Sequence, residues 1–586
     1  MTITDAYDYT DLLREKLVAS GNIVELSKEF NNIKDNSERV KFLERLLLEN
    51  NLIPKAEDFK KPKDNAISKD FRDIGNKFYS NRQYIEALEY YNKSLCFAEA
   101  NGENIGLAFA NRSAIYCELK HYNRALKNIE MAISNNYPQK NLDKLMKRKE
   151  LCESNKNNDQ EKFAYKAIGE ENLKLSHEPN PKLPFIAKCL ELKSDDQFGR
   201  YVVTNKRLSA GDIIAIEEPF SKCVLPSSSY RYCVNCLTDN FLDLIPCKSC
   251  SAVMFCSEQC REIGTNKFHK YECNIIDALN AIYTKIMRIS SHTFFEALHV
   301  YNSDIQQLIS AMNENANASV TVYDFDFEGE SDEDVKKKMF IAIDSLVTNE
   351  QYRGPSDLFQ RAGIVAIMTN LLFSQTELMN LLMSESDKNF YRKFIMKQTQ
   401  IAALNYHGIF DGILTKSQLN DNVQSGSASY PFCSLINHSC APNLVRVSYK
   451  YKNYIMVNRP IEKGEQLFDN YGYHHCLESF RQRQTSLNNQ YMFKCTCDAC
   501  VHDYKLFPQL KYATKVFDNF IGNDVKELQD LNMKTAQRRL KDYCKMINKL
   551  DRHYPCREIS SLQECLLRCF FIFKLSTFNL ELLKYN

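Results

Sequence analysis

The sequence lacks three things whose absence narrows what it can be. It has no charge surplus: Lys plus Arg number 76 and Asp plus Glu 74. That balance supplies no basic field for nonspecific nucleic-acid binding, so no direct nucleic-acid partner is required. It has no apolar run of the ~18 residues a membrane span needs. Its most apolar tail, CFFIFKLSTFNLELL, is interrupted by Lys574 and Glu581. No secretory leader is expected, because MTITDAYDYTDLL is acidic and lacks an apolar core. The expectation is an intracellular chain without a membrane anchor. At 586 residues it should form three or four domains.

What the chain does have is cysteine, 22 in all. Reducing compartments rarely keep structural disulfides, so many cysteines point to metal where the spacings fit. Cys233, Cys236, Cys247, Cys250, Cys256, Cys260, His269 and Cys273 follow C-x2-C-x10-C-x2-C-x5-C-x3-C-x8-H-x3-C. Each CxxC knuckle places two thiolates on one metal at ~2.3 Å, and the later pairs close two tetrahedral sites. Eight soft ligands leave no open coordination position, so this module should be folded by zinc and not catalyse. A third cluster, Cys495, Cys497 and Cys500 in CTCDAC, lacks a fourth thiolate. The nearest sensible donor is Cys440 in SLINHSCAPNL, which predicts a third zinc; the alternative is a three-cysteine redox patch.

Periodicity divides the rest. Residues 1–65 read as helices, with apolar residues at three- and four-residue steps in DLLREKLVAS and SERVKFLERLLLEN. Residues 66–152 carry helix pairs that repeat at an offset of 38, with Gly75 and Ala87 in the first unit and Ser113, Tyr116, Ala125 and Ala132 in the second. LDKLMKRKELCESN opens a third. The pattern resembles stacked tetratricopeptide (TPR) repeats, which build a groove. A polar linker is expected at 153–185. Strand texture comes in two pieces, around 190–225 and 430–475, with AGD and EKGE as turns. One β domain with insertions explains this more simply than two halves. Between the pieces lie the zinc module at 233–273 and a helical block at 274–404, whose acidic run YDFDFEGESDEDV reads as a mobile surface loop. Residues 504–586 read as helical, ending in an exposed-looking tail.

Four segments now resemble one family. FGRYVVTNKRLSAGDIIAIEEP at 198–219 is similar to the opening half of a SET domain. NHSC at 437–440, GEQLFDNY at 464–471 and YMFKCTCDAC at 491–500 are similar to its closing half and its post-SET zinc motif. The inserted cysteine module resembles a MYND finger. Together they resemble the SET and MYND lysine methyltransferase family, among its TPR-bearing members. The implied fold is multidomain α+β. TPR-like repeats lead into a β-rich SET domain (186–232 and 405–480) split by a MYND zinc finger and a helical insertion. A Cys-rich post-SET motif (481–503) and a C-terminal helical region follow.

The resemblance implies S-adenosylmethionine as cofactor and a target lysine of a histone or non-histone protein as substrate. It implies Cys233, Cys236, Cys256 and Cys260 on one zinc, and Cys247, Cys250, His269 and Cys273 on the other. Asn437 and His438 would line the cofactor pocket, with Gly199, Arg200, Asn405 and Phe493. Tyr471 would stand at the methyl-transfer centre, and His407 takes a place where an aromatic often shapes the lysine channel. MYND fingers bind proteins, which implies transcriptional regulators as partners. Repeats that grip the acidic EEVD tail of heat-shock chaperones use asparagines and basic groove residues. Arg72, Asn76, Asn111, Lys144 and Arg148 resemble that clamp. The competing expectation is a SET-fold scaffold with weak or no transfer. Nucleus and cytoplasm are the expected locations.

Overall fold

The computed structural model describes residues 5–100, 102–159, 169–238, 243–315, 319–375, 377–410, 424–514 and 520–575. Three helices begin it: α1 (Ala6–Ala19), α2 (Ile23–Asn32) and α3 (Asn36–Glu49). Asp5 and Asp35 cap α1 and α3 by accepting backbone N–H groups of the first turn. Helical hairpins follow: α4 (Asn65–Ser80) with α5 (Tyr84–Phe97), then α6 (Asn104–Glu118) with α7 (Tyr122–Ser134), then α8 (Leu142–Asn155). The small residues read from the sequence sit where helices cross. A Cβ on Gly75 would lie 2.6 Å from the Tyr91 ring and 3.3 Å from the Ala87 carbonyl oxygen.

The two strand-rich pieces pair with each other. β1 (Leu190–Asp195) and β2 (Gly199–Thr204) form an antiparallel hairpin. β3 (Ile213–Glu217) and β4 (Lys222–Val224) come from the first piece. The cysteine-rich module contributes β5 (Ile245–Pro246), β6 (Met254–Phe255) and α9 (Glu258–Gly264). The helical block holds α10 (Lys285–Val300), α11 (Asp332–Asp344), α12 (Pro355–Gln375) and α13 (Glu385–Asn405). The second piece supplies β7 (Tyr406–Ile409), β8 (Gly426–Ser429), β9 (Asn437–His438), β10 (Leu444–Tyr449), β11 (Lys452–Val457) and β12 (Phe468–Asp469). β11 lies between β10 and β3, and β8 between β4 and β7. Residues some 200 positions apart thus complete one β body. Then come α14 (Phe480–Tyr491), α15 (Met533–Leu550) and α16 (Arg557–Lys574).

Glu217 ties the pieces together. Its carboxylate is fully buried and accepts the backbone N–H groups of Phe432 (2.6 Å) and Cys433 (2.9 Å). Burial outweighs those two bonds and pushes its pKa up to about 8. The turn it holds leads directly into β9.

Three expectations are corrected. The acidic run is no mobile loop: Phe327 is buried and its N–H reaches the Lys182 carbonyl at 2.8 Å. Its later acids form the first turn of α11, where carboxylates complement the positive helix end. The second half of the linker belongs to the body: Leu173 and Leu183 are buried, and the Ser176 N–H donates to Ile213 at 2.9 Å. Residues 160–168 of that linker lie outside the described residues. The tail is not exposed as far as Leu575. Phe570, Ile572 and Phe573 of α16 pack with Val447 and Tyr454 of the sheet in a second core. Its apolar residues read as exposed only because the sheet face they cover is a hundred residues earlier in the chain. Residues 576–586 lie outside the described residues.

Candidate active site

A cavity of about 600 Å³ opens beside β9. β9 runs parallel to β12, with Phe468 opposite Asn437 and Asp469 opposite His438. That register brings Tyr471 against His438: the Tyr471 N–H donates to His438 Nδ1 at 3.0 Å, and the rings lie 5.1 Å apart. A backbone N–H can only donate, so Nδ1 accepts and the proton of the neutral ring sits on Nε2. Burial holds this histidine neutral, with its pKa lowered to about 4. The Tyr471 hydroxyl donates to the Ile436 carbonyl at 2.9 Å. Burial drives its pKa far above the usual phenol value.

The opposite wall is the β1–β2 turn. Asn437 Nδ2 donates to the carbonyls of Phe198 (3.1 Å) and Arg200 (3.3 Å). Gly199 between them has φ +64°, a conformation glycine adopts without strain. Arg200 lines the cavity, and its Nη1 is buried with no hydrogen-bond partner among the described residues. Desolvation lowers its pKa. Asn405 also lines the cavity, but its Nδ2 is committed to the carbonyls of Val347 and Ile401, both at 3.1 Å. It braces the wall. Phe493 closes one side, 6.1 Å from the His438 ring.

Sequence reading missed several groups. Tyr491 and Asn349 line the same cavity; the Tyr491 ring lies 4.9 Å from that of Tyr471, and Asn349 Nδ2 donates to the Tyr491 carbonyl at 3.3 Å. Tyr491 opens the quoted YMFKCTCDAC, so its signal was in view; Asn349 has no local signature. Arg446 was also missed. It pairs with the buried Asp469 at 2.6 Å and donates to His407 Nδ1 at 2.7 Å. Desolvation and the Arg446 cation keep His407 neutral.

Eleven of the cysteines and His269 gather in three groups of four, each with ligand atoms within 4.8 Å of one another. They are Cys233, Cys236, Cys256 and Cys260; Cys247, Cys250, His269 and Cys273; and Cys440, Cys495, Cys497 and Cys500. A thiolate tetrahedron with metal–sulfur bonds of ~2.3 Å has edges of about 3.8 Å. The Sγ–Sγ distances of 3.6 Å (Cys236 to Cys256), 3.8 Å (Cys247 to Cys273) and 3.6 Å (Cys440 to Cys500) fit that size. His269 turns Nε2 toward Cys247 at 3.2 Å. Buried Arg483 reaches Cys500 Sγ at 3.8 Å, a cation beside the third thiolate group. His474, His475 and Cys476 also lie close, but both ring nitrogens of His475 have partners, the Lys505 carbonyl (3.2 Å) and the Tyr554 hydroxyl (3.1 Å).

The SET domain family matches residues 199–472, which contain Gly199, Arg200, Asn437, His438 and Tyr471. Protein-lysine N-methyltransferase SMYD4 of Danio rerio is 22% identical over 512 residues, covering 76% of this chain and 67% of the relative. SMYD4 of Homo sapiens is 23% identical over 536 residues, covering 73% and 66%. The chain carries a match to the SET domain and is similar over about three quarters of its length to these SMYD4 proteins. It spans about two thirds of the length of those relatives. Histone-lysine N-methyltransferase ASHR1 of Arabidopsis thaliana is 24% identical over 318 residues, 53% of this chain and 55% of the relative. The cavity is built from both ends of the SET match, with Asn349 and Asn405 from between them and Phe198, Tyr491 and Phe493 from just outside it.

The groove residues of the hairpins also have partners. Arg72 bonds the Asn104 side chain. Asn76 Oδ1 accepts from Tyr91 (3.0 Å) and from Asn111 Nδ2 (2.8 Å). Arg148 donates to the Ala110 carbonyl (2.7 Å) and Ser113 Oγ (2.8 Å), and Lys144 is exposed.

Proposed function

We propose that this protein is an S-adenosylmethionine-dependent protein-lysine N-methyltransferase carrying TPR-like and MYND interaction modules. The β9–β12 register carries the reading, because it sets Tyr471, Asn437 and His438 on one cavity wall opposite Phe198 to Arg200. S-adenosylmethionine supplies an electrophilic methyl group on a sulfonium. Gly199, Arg200, Asn437, His438, Tyr471 and Phe493 are the residues proposed to hold it, with Asn405 bracing the wall. The unpartnered, buried Arg200 Nη1 supports this, since a buried guanidinium calls for an anionic or polar partner.

The chain's own work is positioning. The Tyr471 hydroxyl gives its proton to Ile436, which leaves oxygen lone pairs free to orient a lysine amine. With its pKa far above the usual phenol value, Tyr471 orients and does not act as a general base at neutral pH. The rings of Tyr471 and Tyr491 form an apolar wall that favours the neutral amine over the ammonium. The twelve clustered ligands are proposed to hold three structural zinc ions, two in the MYND module and one post-SET. The groove residues Arg72, Asn76, Asn111, Lys144 and Arg148 are proposed to take an acidic chaperone tail, and the MYND module transcriptional regulators. Nucleus and cytoplasm are the proposed locations.

The test is S-adenosylmethionine binding by calorimetry on folded, zinc-loaded protein, followed by labelled methyl transfer to candidate proteins. Wild type should bind, Asn437→Ala should not, and Tyr471→Phe should bind without transferring. Absence of wild-type binding would sink the catalytic reading. Wild-type binding without turnover on any protein would leave a scaffold.

A further inference from the structure

The hairpins α4 to α8 do not hang free of the catalytic body. Arg112 of α6 is 1% exposed, and its Nη1 donates to the Leu244 carbonyl (2.6 Å) and to Asn92 Oδ1 (3.1 Å). Arg124 of α7 pairs with Asp243 at 2.7 Å, both side chains 9% exposed. Asn92 Nδ2 donates to the Tyr230 carbonyl at 2.8 Å, and Arg231 pairs with Glu89 at 2.6 Å. Ser251 Oγ donates to the Lys61 carbonyl at 2.8 Å. Each of these partners on the far side belongs to the zinc module or to the segment leading into it.

Their chain positions matter. Asp243 and Leu244 stand just before Cys247, and Ser251 directly follows Cys250, so both flank the second ligand group. The strands beside them, β5 and β6, are two residues long. A ladder that short does not hold a loop in place by itself, whereas a metal tetrahedron does. We propose that the second cluster's metal seats the helical hairpins on the catalytic body, through Asp243 and Leu244 held against Arg124 and Arg112. Without that scaffold, Arg124 loses the Asp243 carboxylate and Arg112 the Leu244 carbonyl, so the buried contact between hairpins and module is weakened and the hairpins loosen. The idea rests on the metal reading of this cluster and is independent of methyl transfer. It has a consequence for partners. The module face bearing Tyr230, Asp243 and Leu244 is already covered from within the chain, so an outside protein must use another face. The five proposed groove residues stand apart from the contacts named above, so the groove keeps its own surface.

The test is hydrogen exchange of residues 104–134 in the full-length, metal-loaded chain. Arg124→Asp and Asp243→Arg should each speed exchange there tenfold or more with metal content unchanged, and the double reversal should restore protection. Stepwise chelation should release the same segment while β10 and β11 stay protected. Unchanged exchange at 104–134 in either folded single variant, or after the second cluster is stripped, overturns the proposal. Should a reversal not fold, Asp243→Asn serves instead: exchange should rise at least threefold, and unchanged exchange overturns the proposal equally.

Discussion

Asn437 Nδ2 bridges the carbonyls of Phe198 and Arg200, tying a residue of the closing SET half to the turn of the opening half, more than 230 positions earlier. One side chain thus sets the spacing of two cavity walls. Replacing it with alanine removes two hydrogen bonds, each worth ~1 kcal/mol. The expected loss in S-adenosylmethionine affinity is about 30-fold or more, read by calorimetry. A change of less than threefold would mean the walls are held by something else.

Tyr471→Phe deletes the hydroxyl that meets the Ile436 carbonyl. Stability should drop by only about 1 kcal/mol in a urea titration. Cofactor affinity should stay within threefold, while methyl transfer falls by ~10² to 10³. Equal loss of binding and transfer would place the tyrosine in the pocket wall alone.

Elemental analysis of the purified chain should find three zinc ions, one for each four-ligand group. Cys440→Ser should leave two and loosen the Asn437 loop, because Cys440 is the only ligand of its group in that loop. Retention of all three in the variant would remove Cys440 from the set.

Glu217 should make stability depend on pH. A free glutamate titrates near 4.5, but burial raises this one to about 8. Between those values the folded chain keeps a proton that the unfolded chain has lost. The stabilisation is therefore complete below about 4.5 and fades as pH climbs through 8. Denaturation curves between about pH 5 and 9 should show a drop of a few kcal/mol, about 1.4 kcal/mol for each pH step of one. Glu217→Gln should flatten that slope; an unaltered slope would assign it to another group.

Lys144 is exposed, whereas Arg148 is tied to Ala110 and Ser113. Lys144→Glu should therefore weaken an acidic C-terminal peptide by tenfold or more with no change in melting temperature. Arg148→Glu should weaken it and also destabilise α8, because it breaks two hydrogen bonds. Full affinity in both variants would end the clamp reading.

Much of the site was legible because its signals are local. The first two four-ligand groups show themselves by spacings of two to ten residues and NHSC by four consecutive residues, whereas Cys440 had to be joined to a cluster some 55 positions later. The glycine and alanine positions of the hairpins follow from helix periods. The acidic run misled because charge alone does not distinguish a loop from a helix N-terminus, where Ser331 and three acids belong. The tail misled because Phe570 and Phe573 are apolar residues whose covering sheet is far away in sequence.

The sequence by itself determined the ligand chemistry, the helix periods and the strand-rich halves, since each depends on residues within a turn or two of one another. Only the tertiary structure decided that Arg446 pairs with Asp469, that Asn349 joins the cavity, and that Arg112 and Arg124 bury themselves against the cysteine-rich module. These contacts join residues tens to hundreds of positions apart. A buried charge needs a partner, and which partner it finds is set by how whole faces pack, not by any period in the chain.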